Sequence, residues 1–305
     1  MNNYPRKFLP TLQRFEPETM DHTATKEFKK CPRSYFYRMI LGRTSPEGKW
    51  ASVFAWGSSI HKYLEVLYED GDAGAAALAA LPVYKSPTNP TFEWQSKERL
   101  LSTFAKLYKM YLEEKSNNVI RVEAIEQPFN ICFPDGIPVG GRFDQVMKWN
   151  GRMWIRDWKT TSKQINYFKQ GLEPNDQAIR YIYALSCLQF GQDEHGYPNK
   201  VIDGVLFVAI YNAKTVGPEI QPVPSSRSLT QVKKWVDEQV FLHKQMQLCR
   251  ENDTWPMHEV NCTFCDFRQV CTQPSEPAME NMLKTHYVLQ PWKHEEVDQK
   301  AVPEA

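Results

Sequence analysis

Two runs rich in Val, Met, Trp and Ile flank an Asn150-Gly151 pair near the middle of the 305-residue chain. Asn-Gly between such runs is the strongest short-range signal for a β-hairpin turn, because both central residues must accept positive φ. The hairpin places Asp144 on one strand and Asp157 on the next. Since side chains of a strand alternate between its faces, Asp157 and Lys159 point the same way. Three ionisable groups therefore converge on one small patch.

The simplest alternative is that this patch is the solvated polar face of an ordinary hairpin. The flanking residues argue against it, because 139–146 and 153–155 are apolar enough for buried strands and Trp158 stands beside the charges. A buried carboxylate without a partner is costly, so charges on a covered strand need partners or a metal ion. The hairpin thus predicts a divalent-metal site with an amine beside it.

Composition limits the possible partners and compartment. Lys plus Arg number 37 and Asp plus Glu number 36, so the chain has almost no net charge. No overall positive electrostatic field therefore indicates a nucleic-acid partner, and any basic surface must be local. The N-terminus has no apolar signal core, and no stretch approaches the length of a membrane span. We expect a cytoplasmic protein of microbial origin, or one encoded by a phage and made in its host cell, with no membrane partner.

Apolar periodicity and turn signals predict mixed α and β structure with the strands in the middle of the chain. Helices are expected over about 25–41, 57–69, 71–80, 93–115, 174–190 and 229–249, and strands over 119–131, 137–148, 152–159 and 201–211. Residues beyond 271 are rich in Pro, Glu and Lys, and we expect them to be peripheral or partly disordered.

Three cysteines near the C-terminal end, Cys262, Cys265 and Cys271, have the spacing of metal ligands. In a cytosolic chain, clustered cysteines more often bind metal than form disulfides. On spacing alone, zinc and an iron-sulfur cluster are equally compatible, and an unmetallated cluster is less so. The candidates for a fourth ligand are Cys31, His258 and His22. The remaining cysteines, in apolar contexts typical of core residues, are Cys132, Cys187 and Cys249.

Seven short motifs follow one another in order: Cys31-Pro-Arg-Ser-Tyr-Phe-Tyr, His61 after Gly57, Glu126-Gln-Pro-Phe129, Gly141-Arg-Phe-Asp144, Asp157-Trp-Lys159-Thr160, Gln177-Ala-Ile-Arg-Tyr181 and Cys262-x2-Cys265-x5-Cys271. Each motif is weak alone, but the ordered set resembles the RecB-like branch of the PD-(D/E)XK nucleases. More narrowly, it resembles the iron-sulfur exonucleases related to the CRISPR-associated adaptation nuclease and to the nuclease domain of AddB.

This resemblance implies an α/β, restriction-endonuclease-like fold, in which helices flank a mixed central β-sheet. An iron-sulfur cluster would join the N-terminal helix to the C-terminal segment. The expected organisation is an N-terminal arm over 1–22, one nuclease domain over 23–272 and a C-terminal tail over 273–305. The nuclease domain would contain a helical insertion around 71–118 and the cysteine cluster at 258–272.

The resemblance also implies roles for the residues of the hairpin and its surroundings. His61, Asp144 and Asp157 would bind Mg²⁺ or Mn²⁺, and Mn²⁺ tolerates the imidazole better. Glu126 would complete the metal shell, with Glu123 as the alternative if the alignment is shifted. Lys159 would orient or deprotonate the attacking water and steady the developing negative charge.

Two further groups of residues take roles from the same resemblance. Gln177 and Tyr181, four apart on a helix, would hold the DNA backbone or the lysine, although such a pair can also simply anchor a helix to a sheet. The four ligands of a structural 4Fe-4S cluster would be Cys31, Cys262, Cys265 and Cys271.

The implied activity is that of a Mg²⁺- or Mn²⁺-dependent deoxyribonuclease, an exonuclease that hydrolyses phosphodiester bonds at single-stranded DNA ends. A helicase or recombination protein is a possible partner. Two alternatives remain, a weakly active or inactive DNA-binding subunit of a helicase-nuclease or CRISPR adaptation complex, and a zinc-stabilised scaffold. Bases could stack along interleaved basic and aromatic residues, although these also suit an ordinary helix surface: Arg33, Tyr35, Tyr37, Arg38, Lys62 and Tyr63.

Overall fold

The computed structural model describes residues 7–15, 19–46, 51–87, 92–162, 164–172 and 175–292. Its central feature is a five-stranded mixed sheet with the strand order β2-β3-β4-β5-β6. Only β4 and β5 pair in parallel, and the other neighbours pair antiparallel. The strands are β2 Ile120–Cys132, β3 Pro138–Trp149, β4 Arg152–Thr161, β5 Gly204–Ala213 and β6 Val216–Ser225.

The turn between β3 and β4 has the conformation that the sequence predicts. Asn150 has φ 50° and Gly151 has φ 76°, so both central residues occupy the left-handed region. The ladder pairs Trp149 with Arg152 and continues to Gln145 opposite Arg156. The predicted hairpin is confirmed, and it brings the carboxylates of β3 and β4 to the same end of the sheet.

Alternating side chains give the sheet two covered faces. On β5, Val205 and Phe207 face one core, whereas Leu206 and Val208 face the other. Helices cover both faces, so β5 consists almost entirely of apolar residues, as expected for a strand buried on both sides. One face packs against α7 Asp176–Phe190 and α8 Leu229–Glu251, and the other against α3 Ala51–Asp70, α4 Ala73–Ala80 and α5 Lys97–Asn117.

The helix expected over 25–41 is broken in the structure. Helix α1, His22–Lys30, ends at Cys31, whose backbone is extended with φ −167°. A residue before proline is biased away from helical conformation, and Pro32 then starts the next helix. Helix α2 Pro32–Tyr35 continues into a π-helical turn over Phe36–Ile40. The break leaves Cys31 at a junction between helices.

Strand β6 and helix α6 are among the elements that the sequence did not predict. Strand β6 contains Pro218, Pro222 and Pro224, which lack a donor for a sheet ladder and therefore argue against a strand. They are tolerated because β6 is the edge of the sheet. The short helix α6 Ile165–Gln170, between β4 and α7, also had no clear periodicity.

The described part of the C-terminal segment, which ends at residue 292, packs on the domain. Helix α9 Arg268–Cys271 is followed by α10 Glu276–His286, and β7 Val288–Leu289 pairs with β1 Arg43–Thr44. Leu283 of α10 is fully buried. The expectation of a peripheral tail is therefore wrong for 273–292, while 293–305 lie outside the described residues. Within the described ranges, no helix combines the length and apolarity needed to cross a bilayer.

The mixed sheet flanked by helices agrees with the expected restriction-endonuclease-like architecture. The division into arm, nuclease domain and tail stays a prediction.

Candidate metal centre

Strand β2 brings a third carboxylate to the hairpin. Glu126 lies across from Asp144, because the residues before and after each of them pair in the β2–β3 ladder. A β-bulge between Val122 and Ala124 shifts the register by one residue and so selects Glu126 for this position. Glu123 instead forms ion pairs with an arginine of β2 and a lysine of β3.

The backbone of Glu126 is strained. Its φ is 46°, and a residue other than glycine in this region costs about 1–3 kcal/mol. Such strain persists where the surrounding structure enforces it, and it clusters at functional sites. A guanidinium nitrogen of Arg142 lies 3.7 Å from the Glu126 carboxylate.

Helix α3 adds a nitrogen ligand to these two carboxylates. His61 Nδ1 lies 3.4 Å from Asp144 Oδ2. His61, Glu126 and Asp144 each offer one ligand atom, and the three atoms lie within 4.8 Å of one another. In the described part of the chain, this is the only set of three or more His, Cys, Asp or Glu donors that is this close. One imidazole nitrogen and two carboxylate oxygens suit a divalent cation such as Mn²⁺ or Mg²⁺.

Asp144 is held in place by the backbone of the neighbouring strand. The β3–β4 ladder stops at Gln145 and Arg156. Beyond it, the Trp158 backbone N–H donates to Asp144 Oδ2 at 2.9 Å. The Asp144 carboxylate thus takes the place of a backbone carbonyl as the acceptor of this hydrogen bond. The hydrogen bond fixes the orientation of the carboxylate.

Asp157 and Lys159 form an ion pair beside the three candidate ligands. Lys159 Nζ lies 2.7 Å from Asp157 Oδ2, and the Asp157 side chain is fully buried. The Gln177 amide donates to Asp157 Oδ1 at 3.3 Å and contacts the Tyr181 hydroxyl at 2.9 Å. The predicted common face of Gln177 and Tyr181 on α7 therefore adjoins the hairpin.

Asp157 is predicted to be a metal ligand, but in the structure its carboxylate contacts other side chains. Both of its oxygens are engaged, one by Lys159 and the other by Gln177, and it is not part of the close set of three donors. Glu126 takes that place in the geometry. Ligation by Asp157 stays a prediction that requires its oxygen to exchange the lysine for the metal.

The buried charges shift one another's pKa values. Burial raises the pKa of Asp157 to about 6, and Asp144 adds to the rise while Lys159 opposes it. Burial acts to lower the pKa of Lys159, but Asp157 and Asp144 outweigh it and raise the pKa. Burial, together with Asp157, also holds the pKa of Tyr181 far above its usual value. The side chains alone therefore favour the ammonium form of Lys159, whereas a bound cation would oppose it.

The opposite face of β4 carries a buried arginine that the motifs did not single out. Arg156 is fully buried and donates to the Tyr68 hydroxyl at 2.7 Å and to Glu114 at 3.1 Å. Its guanidinium also lies 5.0 Å from the Trp158 ring centre. These contacts tie the strand that carries Asp157 to α3 and α5. The signal in the sequence was that Trp154 and Trp158, the neighbours of Arg156 on the same face of the strand, are both large and apolar.

The four predicted cluster cysteines line one small hollow between the N- and C-terminal parts of the domain. The His258 backbone N–H approaches Cys31 Sγ at 3.5 Å, and the Cys271 thiol lies 3.9 Å from the Tyr37 hydroxyl. Burial raises the pKa of Cys265 and of Cys271. His258 also borders the hollow, whereas His22 is 3.6 Å from Asp176 on α7.

One expectation about the remaining cysteines is wrong, because Cys132 is exposed rather than part of the core. Cys187 is buried and Cys249 is partly buried. Of the two interpretations of the interleaved basic and aromatic residues, base stacking does not fit, because the side chains of Tyr35, Tyr37 and Tyr63 are buried. The alternative of an ordinary helix face, with tyrosines inward and charges outward, describes this region.

Comparison with known proteins identifies the superfamily. A sequence profile of the PD-(D/E)XK nuclease superfamily matches residues 20–272. No curated protein sequence matches the chain. Among solved structures, the protein SSO0001 has a TM-score of 0.35 at 14% identity, with 85% of this chain and 87% of that chain covered. A protein of Eubacterium rectale named "Putative exonuclease" has a TM-score of 0.49 at 12% identity, with 85% and 89% covered.

The profile match spans more than four fifths of the chain, and it includes the sheet, α3, α7 and the hollow lined by cysteines. The chain therefore belongs to the PD-(D/E)XK nuclease superfamily.

Proposed function

We propose that the protein is a metal-dependent DNA exonuclease that hydrolyses phosphodiester bonds at single-stranded ends. The observation that carries the proposal is the convergence of His61, Glu126 and Asp144 within 4.8 Å beside the Asp157–Lys159 ion pair. Superfamily membership supports a nuclease. The preference for single strands and for ends rests on the resemblance to RecB-like iron-sulfur exonucleases.

A divalent ion at this site would lower the pKa of a water molecule and offset negative charge on the phosphate. His61, Glu126 and Asp144 would hold it, and Trp158 would keep Asp144 oriented through its backbone N–H. In the reaction, a water oxygen forms a bond to phosphorus. The bond from phosphorus to the leaving sugar oxygen breaks, and that oxygen takes up a proton.

Lys159 would act as a donor at the reacting phosphate. Its ammonium is held by Asp157 at 2.7 Å, and Asp157 is in turn fixed by Gln177. An ammonium in this position can orient the water and stabilise charge that develops on the phosphoryl oxygens. Tyr181 supports the same arrangement through its contact with Gln177.

We also propose that the four cysteines hold a 4Fe-4S cluster. A zinc tetrahedron with bonds of about 2.3 Å would bring its four sulfurs to within about 3.8 Å of one another. The cysteines line a common hollow, but no three of these four described residues have sulfurs within 4.8 Å. These positions are wider than a zinc tetrahedron requires, and the choice of a 4Fe-4S cluster rests on the resemblance to iron-sulfur exonucleases. The cluster would stabilise the domain by joining α1 to the C-terminal segment.

The test is a cleavage assay on anaerobically purified protein. Linear single-stranded DNA, its duplex form and a covalently closed single-stranded circle are offered with Mg²⁺ or with Mn²⁺. We expect degradation of the linear single strand, little of the duplex, and none of the circle. Degradation of the circle would identify an endonuclease and contradict the proposal. Binding of single strands without any cleavage would identify the alternative DNA-binding subunit.

A further inference from the structure

A cleft of about 430 Å³ adjoins the candidate metal centre along α7. Gln177 and Tyr181 line it, and so does Arg142, which pairs with Glu126 at 3.7 Å. We propose that this cleft binds one nucleotide of a single DNA strand, with its base stacked on Trp292 of the C-terminal segment. This subsite deepens the proposed nuclease function and rests on it.

Trp292 is brought to the cleft by contacts of the residues just before it and by a hydrogen bond of its own indole. Strand β7 pairs with β1, and the Gln290 backbone N–H then donates to the Gly42 carbonyl at 2.7 Å. The indole Nε1 of Trp292 donates to Asp21 Oδ2 at 2.6 Å. Asp21 itself caps α1 through the Ala24 N–H. The indole is therefore oriented by a buried carboxylate, and yet 41% of the residue remains exposed.

The β3 wall of the cleft has no side chains at Gly140 and Gly141. A Cβ on Gly141 would lie 2.5 Å from the Phe129 ring, so the close packing of that ring requires glycine here. Phe129 and Tyr181 border the cleft and contact each other edge to face, but both are buried. Trp292 is therefore the exposed aromatic ring of the cleft lining, and an exposed indole is a surface on which a base can stack.

The charge of the cleft suits a nucleotide that brings a phosphate. Arg142 borders it, and the carboxylate of Asp21 is already engaged by Trp292 and by α1. Arg180 also borders the cleft, but it is buried and donates to the Met20 carbonyl and the Thr25 hydroxyl. Guanidinium groups bind phosphate oxygens well because of their fixed planar donors. Since Arg142 also touches the candidate ligand Glu126, a phosphate at this arginine would lie next to the metal centre.

The size of the cleft favours one nucleotide of an unpaired strand. Its volume lies in the range of pockets that enclose a small organic ligand, about 300–1,000 Å³. A base pair with two backbones does not fit such a space. Trp292 would therefore add to affinity for single strands without selecting a particular base, because every base has a π-face.

The test measures binding of a fluorescent single strand in Ca²⁺, which allows affinity to be determined apart from cleavage. Trp292→Ala is expected to weaken binding about 5- to 150-fold, the range found when one base loses an aromatic partner. Trp292→Phe keeps a ring and is expected to recover most of that loss. Phe241→Ala is the control, because Phe241 is an exposed aromatic residue on α8 outside the cleft.

A second measurement separates stacking from a general loss of structure. A single abasic site is moved through the oligonucleotide, one position at a time, for wild type and Trp292→Ala. At one position, removal of the base is expected to weaken binding by the wild type and to leave binding by Trp292→Ala unchanged. A variant that binds like wild type, or one weakened equally at all abasic positions, would overturn the subsite. Failure of the nuclease proposal is a different result, namely intact binding of single strands with no cleavage in Mg²⁺ or Mn²⁺.

Discussion

The metal centre and the cysteine hollow both gather ligands from separate parts of the chain, but they differ in how far the protein organises them by itself. At the metal centre, Asp144 is held by the Trp158 N–H and Asp157 by Lys159 and Gln177. These contacts lie within the protein, and three donor atoms lie within 4.8 Å of one another. The protein's own hydrogen bonds and ion pair therefore hold the geometry of the proposed catalytic site.

The cysteine hollow shows the opposite arrangement. Its sulfurs face one space, but no three of the four described thiols approach one another within 4.8 Å. Burial raises the pKa of Cys265 and Cys271, so binding of a cluster must release protons. We therefore expect the metal centre to keep its shape when its metal is removed, and the cysteine hollow to depend on the proposed cluster for stability.

The largest expected effect is on the reaction itself. Lys159→Ala should lower the cleavage rate about 10²–10³-fold or more, because it removes a donor aimed at the developing charge. Binding of single strands in Ca²⁺ should change little, whereas the melting temperature should fall, because the buried Asp157 carboxylate loses its ion-pair partner. Lys234→Ala, at an exposed position on α8, is the matched control. Cleavage by Lys159→Ala at the rate of the control would refute the assigned role.

Loss of a cluster ligand should affect stability more than chemistry. Cys262→Ala is expected to lose iron, lower the melting temperature and increase proteolysis between α1 and the C-terminal segment. Iron analysis, calorimetry and limited proteolysis under anaerobic conditions measure these effects. Cys132→Ala, an exposed cysteine outside the hollow, should behave like wild type. Stoichiometric zinc in the wild-type protein, with no iron, would show that the cluster assignment is wrong.

A smaller effect is expected on metal dependence. His61→Ala removes the nitrogen ligand and should raise the Mn²⁺ concentration required for half-maximal cleavage about 10- to 100-fold. The relative activity with Mn²⁺ over Mg²⁺ should also fall, because imidazole favours the softer ion. Metal titrations of initial rates test this, with His195→Ala, an exposed histidine, as control. An unchanged titration curve would remove His61 from the metal shell.

The smallest effect concerns a contact that links the two regions. Asp176 at the start of α7 accepts hydrogen bonds from Lys29 of α1 and Trp235 of α8. Burial opposes ionisation of Asp176, but the donors His22, Lys29 and Trp235 hold its pKa well below the usual range. Asp176→Asn should lower the free energy of unfolding by about 1–3 kcal/mol at neutral pH.

The pH dependence of that variant follows from the sign of the shift. A carboxyl with a depressed folded-state pKa stabilises the fold above its unfolded pKa, about 3.9, and loses this contribution as pH falls toward the folded value. The difference between wild type and Asp176→Asn should therefore be constant from pH 7 to 5 and shrink below about pH 4. Denaturant unfolding across this range measures it, with exposed Asp70→Asn as control. A difference that grows on acidification would contradict the linkage.

Local signals in the sequence predict most of the sheet and part of the site. Asn150-Gly151 fixes the hairpin, and alternation along β4 correctly places Asp157 and Lys159 together. Helical spacing likewise places Gln177 and Tyr181 on one face of α7. These predictions succeed because turn chemistry and side-chain periodicity depend on neighbours in the chain.

Other features depend on contacts between distant segments and could not be predicted in this way. The bulge between Val122 and Ala124 decides that Glu126, rather than Ile125, lies across from Asp144. The prolines of β6 are tolerated because this strand lies at the edge of the sheet, and its edge position depends on how distant strands pair. Trp292 carries no motif, and its place in the cleft becomes visible only when β7 pairs with β1.

In the proposed function, the hairpin, β2 and α3 together form a divalent-metal centre. Diffraction from crystals containing Mn²⁺, recorded at the manganese absorption edge, would locate the bound metal. We predict an anomalous peak bounded by His61, Glu126 and Asp144. Manganese bound elsewhere, with no peak among these three side chains at saturating Mn²⁺, would contradict the account.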